Sequence, residues 1–370
     1  MKWVAVLAVV AVFAAGSVYL LRSESGSARN DTAVVGEQQS TANVPVESGE
    51  KVTTALPSAK IITGLAHEGQ TFNNCSSVGL LIAMSHWGIK DTQKDIAEAT
   101  RPWNNPKGDN DDKSVTLFEL ADYARAKHGL LAYVRPNGNL ETLKKFVAND
   151  IPVVTRALMY EDQDIPHYRV VHGYDDATQM ITQTDSINGR DKTFSYDKWQ
   201  VMWKDFNYSY LIVVPPEKKE LVERLLQKEV SEKVAWENAK SRAEEELAKD
   251  PDDYKWRYNL LTALYYLGDY EGTVREFEKI DDRLTRRALW YQMEPIDAYF
   301  QLGNYDRVIG LADSVINDHN KAVSELYVLK GKIYQSRGEL VAARAEYEKA
   351  IYYHKHLQSA KDALASAGSQ

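Results

Sequence analysis

Glycines 268, 303 and 338 stand 35 residues apart, each inside a similar tetrad: Leu267-Gly268-Asp269-Tyr270, Leu302-Gly303-Asn304-Tyr305 and Arg337-Gly338-Glu339-Leu340. A fixed period of this length marks stacked helix pairs, with each glycine in the turn between two helices, where positive φ costs it least. Phe277 and Tyr347 each follow their glycine by nine residues, and the small Ala343 follows the last by five. Such pairs cannot bury their apolar faces singly, so about three units and a preceding helix are needed. The middle unit is degenerate, and Pro295 either kinks its first helix or marks its start. An all-α repeat domain is therefore expected over residues 250–370. The charged stretch 217–249 carries an apolar stripe, Leu221, Leu225, Val230, Val234 and Ala235, and reads as one connecting helix or a helical pair.

The other end of the chain constrains location. Trp3 to Leu21 is an uncharged run of 19 residues closed by Arg22, just enough to cross a hydrocarbon core as a helix. The α-amino group and Lys2 in front of it, against Arg22 behind, favour a cytoplasmic N-terminus and an exported body. Residues 1–22 thus read as a signal anchor giving a single-pass protein of the cell membrane with extracytoplasmic domains. The patch Ala14-Ala15-Gly16-Ser17 leaves open the alternative of a cleaved signal peptide and secretion. Residues 23–55 are rich in Ser, Thr, Glu, Gly and Gln and read as a flexible linker.

Hydrophobic residues at 44% and charged residues at 26% fit a chain folded mostly in water. A net charge of −8 with no basic run argues against nucleic-acid binding. The single cysteine, Cys75, excludes an internal disulfide and any multi-cysteine metal site. No close ligand pair accompanies it, the acidic run Asp109-Asn110-Asp111-Asp112 reads as a solvated turn, and no cofactor or metal is expected.

Cys75 lies where an α+β domain is expected, over residues 56–216. Val78, Leu81, Ile82 and Ser85 recur at helical spacing, Asn73 or Asn74 can cap the start, and Gly88 can stop the helix. Cys75 then occupies the first turn, where the helix dipole and unpaired N–H groups favour a thiolate. Gln70, five residues earlier, can bring its amide to the same place, and with the Cys75 N–H would form an oxyanion hole.

A reactive thiolate also needs an imidazole and a group to orient it. Tyr168–Val171 and Met180–Gln183 read as two strands joined by the turn Asp175-Asp176-Ala177-Thr178. Folding the hairpin about Asp176 sets His167 opposite Asp185 and His172 opposite Met180. His172, five residues from His167, falls on the other strand face and reads as structural or at the rim of the cleft. The register prefers His167 as base and Asp185 as its orienter.

Gln70-Thr71-Phe72-Asn73-Asn74-Cys75, then His167-Tyr168 leading into Gly173-Tyr174-Asp175, then Asp185, resemble the papain-like cysteine peptidases typified by bacteriocin leader processing, in their free-standing peptidase-like branch. The resemblance covers about residues 60–216, including Asp112-Lys113-Ser114-Val115, Ile151-Pro152-Val153-Val154 and Tyr210–Pro216. It implies a papain-like fold and the roles of Cys75, His167, Asp185 and Gln70 as nucleophile, base, orienter and oxyanion donor. Ser76-Ser77 stand where the family usually has Gly-Pro, which adds a side chain at the acyl site. The C-terminal units resemble the tetratricopeptide repeat, the last one best, through Gly331, Tyr334, Gly338, Ala343, Tyr347 and Ala350. Three readings stay open. One is a cysteine peptidase of the envelope, acting on a peptide or protein that the repeats recruit; another is a weakly active or inactive binding scaffold of the same fold; the third is amide chemistry on another substrate, such as cell-wall peptide or acyl transfer.

Overall fold

The computed structural model describes residues 55–101, 115–318 and 320–368. Residues 1–54, which carry the expected anchor and nearly all of the expected linker, lie outside the described residues, as does the acidic run within 102–114. Among the described residues no helix is long and apolar enough to cross a membrane.

In chain order the first half comprises β1 (Ala59–Ile61), α1 (Cys75–Ser85), α2 (Gln93–Ala99), α3 (Leu117–His128), β2 (Leu131–Arg135), α4 (Leu140–Ala148), β3 (Val153–Leu158), β4 (Pro166–Asp175), β5 (Met180–Asp185), β6 (Gly189–Ser195), α5 (Tyr196–Trp203) and β7 (Tyr210–Val214). The strands form one antiparallel sheet in the order β2-β7-β3-β4-β5-β6, with β1 pairing the far end of β4. β3 and β7 are buried at every position. Their near-continuous apolar runs, Val153-Val154 and Leu211-Ile212-Val213-Val214, suit strands covered on both faces.

α1 packs on this sheet and is buried from Ser76 to Met84 without a break. A helix apolar all round belongs inside a core. Gly79 lets it come close: a Cβ there would stand 3.3 Å from that of Tyr168 on β4. Asn74 is the N-cap but its side chain makes no capping bond, and Gly88 ends the turn after α1 at φ +75°.

The hairpin β4–β5 departs from the register expected. Asp175 belongs to β4 and pairs with Met180, and its carboxylate accepts from Ala177 N at 2.8 Å and Thr178 N at 3.3 Å. These bonds build the turn on Asp175 and set it later than a fold about Asp176. A bulge at His172 then shifts the ladder again, so Asp185 pairs with Arg169 rather than with His167. His172 accordingly does not face Met180.

The second half is helical: α6 (Lys219–Leu226), α7 (Glu232–Lys249), α8 (Tyr254–Tyr266), α9 (Tyr270–Phe277), α10 (Ala288–Tyr291), α11 (Glu294–Gln301), α12 (Tyr305–Asn317), α13 (Ser324–Ser336), α14 (Leu340–Tyr353) and α15 (Gln358–Ala367). Gly268, Gly303 and Gly338 lie between α8 and α9, α11 and α12, and α13 and α14, at φ +84°, +75° and +77°. The left-handed turn required at each explains the 35-residue recurrence. Pro295 lies in the first turn of α11 and marks its start.

These helices are not held apart from the sheet. Asn259 on α8 accepts from Asn207 N and donates to the Lys204 carbonyl, and Arg287 donates to Asp164 at 2.8 Å. Arg101, beyond α2, bridges Glu119 on α3 at 2.6 Å and Glu325 on α13 at 2.5 Å. α8 and α13 are accordingly buried over most of their surfaces, between their helical partners and the sheet-bearing half.

Candidate active site

Cys75 is the first residue of α1 and is half-buried. The segment before it is tied to the end of β5. Gln70 N donates to the Ser186 carbonyl at 3.3 Å, and Ser186 Oγ donates to Gln70 Oε1 at 2.6 Å. Gln93 on α2 closes the other side, accepting from Thr71 N at 2.8 Å and donating to the Gly69 carbonyl at 3.0 Å. Asn73 takes the left-handed conformation, φ 51°, just before the helix. Asparagine tolerates that region better than most residues.

His167 and Asp185 sit on neighbouring strands, with His167 two residues before Arg169, the residue directly opposite Asp185, and His167 Nε2 lies 3.3 Å from Asp185 Oδ1. Both side chains are almost wholly buried. Neither ring nitrogen of His167 makes an aligned hydrogen bond. Leaving a buried polar atom in that state costs about 1–3 kcal/mol. Burial lowers the His167 pKa, Asp185 opposes that, and the Arg169 cation adds to the lowering.

Asp185 is the most heavily supported group in the site. Oδ1 accepts from Ile187 N at 2.8 Å and Asn188 N at 2.6 Å; Oδ2 accepts from Asn188 Nδ2 at 3.0 Å and Gln183 Nε2 at 3.2 Å. Burial would raise its pKa, but His167 and these donors hold it far below the ordinary carboxylate range. It is a fixed anion.

Arg169 is the residue that pattern reading missed. It is fully buried, with Nε 3.5 Å from Asp185 Oδ2 and its other two nitrogens donating to the Leu158 and Met159 carbonyls at 2.7 and 2.5 Å. It interacts electrostatically with Cys75 as well as with Asp185. The available signal was an arginine directly before Val170-Val171 in a segment read as a strand, since a charge among apolar strand neighbours needs a partner if the strand is buried. Asn188 carried a second signal, since Asn188-Gly189 is a turn dipeptide that fixes the donors just after Asp185.

The remaining expectations divide. Gln70 lies beside the β5 end with its amide oxygen engaged. Ser76 and Ser77 are buried in the packing of α1. His172 is satisfied at both nitrogens, Nδ1 by the Ile62 carbonyl at 2.9 Å and Nε2 by Thr184 Oγ1 at 3.0 Å, as a structural histidine requires. No group of residues able to hold a metal ion occurs among those described.

Comparisons with known proteins bear on the same part of the chain. No curated protein matches it. A structure described as that of a C39-like peptidase from Bacillus anthracis is 16% identical, with 42% of this chain covering 97% of that one and a TM-score of 0.35. The peptidase domain of Streptococcus ComA, a bi-functional ABC transporter involved in a quorum-sensing pathway, is also 16% identical, with 41% of this chain covering 98% of it and a TM-score of 0.32. Residues 59–212 match the model of the Peptidase_C39 like family, and this match supports a C39-like peptidase domain in the sheet-bearing half.

Proposed function

We propose that this protein is a cysteine peptidase in which Cys75 is the nucleophile, His167 the general base and acid, Asp185 its orienting anion and Gln70 an oxyanion donor. The observation that carries the reading is the contrast between its two β4 histidines. His172 has both nitrogens bonded, whereas His167 has only Nε2 facing a partner, the fixed Asp185 carboxylate at 3.3 Å, and its buried Nδ1 has none. A buried ring nitrogen left without a partner is a cost that a purely structural histidine would not retain.

With Nε2 toward Asp185, Nδ1 is the nitrogen left for the thiol. His167 takes the thiol proton, and the Cys75 sulfur adds to the amide carbonyl. The oxyanion formed accepts hydrogen bonds from the Cys75 N–H, in the first turn of α1, and from the Gln70 side-chain NH2. His167 then protonates the leaving nitrogen as the C–N bond breaks, leaving a thioester on Cys75 and a free amine. Water deprotonated by His167 attacks the thioester, releasing the carboxylic acid and restoring the thiol.

The helical half functions as a tetratricopeptide-type array that recruits a peptide or protein partner. Its support is the 35-residue spacing together with the positive-φ glycine in each turn. The apolar run 3–21 anchors the body to the membrane with its domains outside the cytoplasm. Incubating the chain and its Cys75→Ala variant with a diverse peptide mixture, and reading cleavage by mass spectrometry, tests the activity. New termini with the parent only support the peptidase; none with either, while partners are still captured, favour the inactive binding scaffold.

A further inference from the structure

The segment 65–71 ahead of Cys75 is pinned along its length. Arg190 Nη1 donates to the Leu65 carbonyl at 2.9 Å, His67 Nε2 lies 3.2 Å from the Asp185 carbonyl oxygen, and Gln70 N donates to the Ser186 carbonyl at 3.3 Å. From the side of α2, Gln93 donates to the Gly69 carbonyl and accepts from Thr71 N. The main chain on both sides of Gln70 is therefore fixed, and the freedom left to this residue lies in its side-chain torsions.

Ser186 removes that freedom. Its hydroxyl donates to Gln70 Oε1 at 2.6 Å, a separation that suits an O–H···O bond better than an N–H···O one. A primary amide has an acceptor end and a donor end, so with the oxygen taken the NH2 group is the end left for a ligand. Gln70 Oε1 is the only hydrogen-bond partner of this hydroxyl among the described residues. A half-turn of the amide would thus leave a buried O–H without an acceptor and would present an oxygen, which repels an oxyanion. Ser186 is itself held firmly. It is 7% exposed and stands between Asp185, whose carboxylate is fixed by four donors, and Ile187, whose N–H is one of them.

One dipeptide at the end of β5 therefore serves two groups of the site: Asp185 faces His167 at 3.3 Å, and Ser186 holds Gln70. We propose that Ser186 is a positioning residue, which keeps the Gln70 NH2 group turned toward the oxyanion that forms when Cys75 adds to a carbonyl carbon. The inference rests on the peptidase reading above for the roles of Cys75 and Gln70.

The test compares two reactions of the same sulfur in the full chain. With p-nitrophenyl acetate, the Cys75 thiolate adds to the ester carbonyl to form an oxyanion. The C–O bond then breaks, its electron pair leaves on p-nitrophenolate, and an acetyl thioester remains on Cys75. Iodoacetamide alkylates Cys75 by displacing iodide and forms no oxyanion, so it reads the thiolate by itself. Acylation is followed by initial p-nitrophenolate release, less that of Cys75→Ala, and by the mass of the Cys75 peptide. Gln70→Ala should slow acylation about 100-fold and Ser186→Ala about tenfold, with alkylation of Ser186→Ala within about twofold of the parent. Adding Ser186→Ala to Gln70→Ala should slow acylation no further, because the two residues act through one amide. Acylation of Ser186→Ala at the parent rate, an equal slowing of its alkylation, a further tenfold loss in the double variant, or no acylation of Cys75 in the parent overturns the proposal. Slow alkylation of the parent that is indifferent to His167→Ala removes the peptidase reading and this inference with it, whereas fast alkylation with no effect of Ser186→Ala on acylation removes this inference alone.

Discussion

Replacing Arg101 by methionine removes the cation that joins the two halves while keeping most of the side chain's volume. In the native protein its Nε donates to Glu119 Oε1 at 2.6 Å, and its terminal nitrogens reach both oxygens of Glu325 at 2.5 and 3.4 Å. The side chains are only 5%, 18% and 8% exposed, so the variant leaves the buried Glu325 and the part-buried Glu119 without their guanidinium, with only His354, 3.7 Å from Glu119, beside them. Breaking a buried ion pair by removing one partner costs about 3–5 kcal/mol. At roughly 2–4 °C per kcal/mol this lowers Tm by roughly 6–20 °C. Acidification should narrow the gap. Burial acts to raise the Glu119 pKa, but Arg101 holds it below the ordinary value, while at Glu325 burial outweighs Arg101 and the pKa is raised. The native protein thus has a Glu119 contribution that is present above the unfolded pKa and lost as pH falls through the depressed folded value. In the variant, acid instead neutralises the stranded carboxylates. Differential scanning calorimetry at neutral and mildly acidic pH measures both effects, and adding Glu325→Gln should restore part of the loss. A Tm within about 2 °C of native at neutral pH, or a gap that widens on acidification, refutes the reasoning.

Three further changes have defined outcomes. Glu294, buried near Arg156 and Tyr266, has its pKa raised to about 7 by burial. A raised folded pKa means stability present below the unfolded value and lost as pH rises through about 7, so Glu294→Gln should raise Tm more at pH 8 than at pH 5. Gly331→Ala would set a Cβ 2.3 Å from the ring of Tyr347, which is fully buried with its hydroxyl on Gln335 at 2.8 Å. Overpacking of about 1–3 kcal/mol should exceed the helix-propensity gain of about 1 kcal/mol, giving a net fall in denaturant midpoint. His172→Leu removes the partner of the Ile62 carbonyl and of Thr184, and should cost about 1–3 kcal/mol in urea unfolding while leaving the rate of Cys75 alkylation unchanged.

What was legible in the sequence was set by local rules. Helical spacing and the stop at Gly88 located α1, and the 35-residue glycine period located the helix pairs, whereas Pro295 left a kink and a helix start equally open. The hairpin was legible as a hairpin but not in register. Its outcome depended on the side chain of Asp175 building the turn and on a bulge at His172, and neither is a matter of periodicity. The candidate site was legible as residue types at suitable separations. The support of Asp185 by Gln183, Asn188 and Arg169 was not, because it comes from three-dimensional neighbours on two strands and a turn. The docking of the helical half was equally hidden. A repeat period says that helices stack on each other, and nothing in it says that Glu325 will meet Arg101 some two hundred residues away in the chain.

Cys75 is the chain's single cysteine, so its alkylation is read without ambiguity. The rate of iodoacetamide labelling from pH 5 to 9, in the native chain and in His167→Ala, tests the pairing of thiol and imidazole most directly. The account predicts fast labelling well below the free-thiol pKa of about 8.5 in the native chain, lost in the variant. Slow labelling that rises only near that value and is the same in both would contradict it.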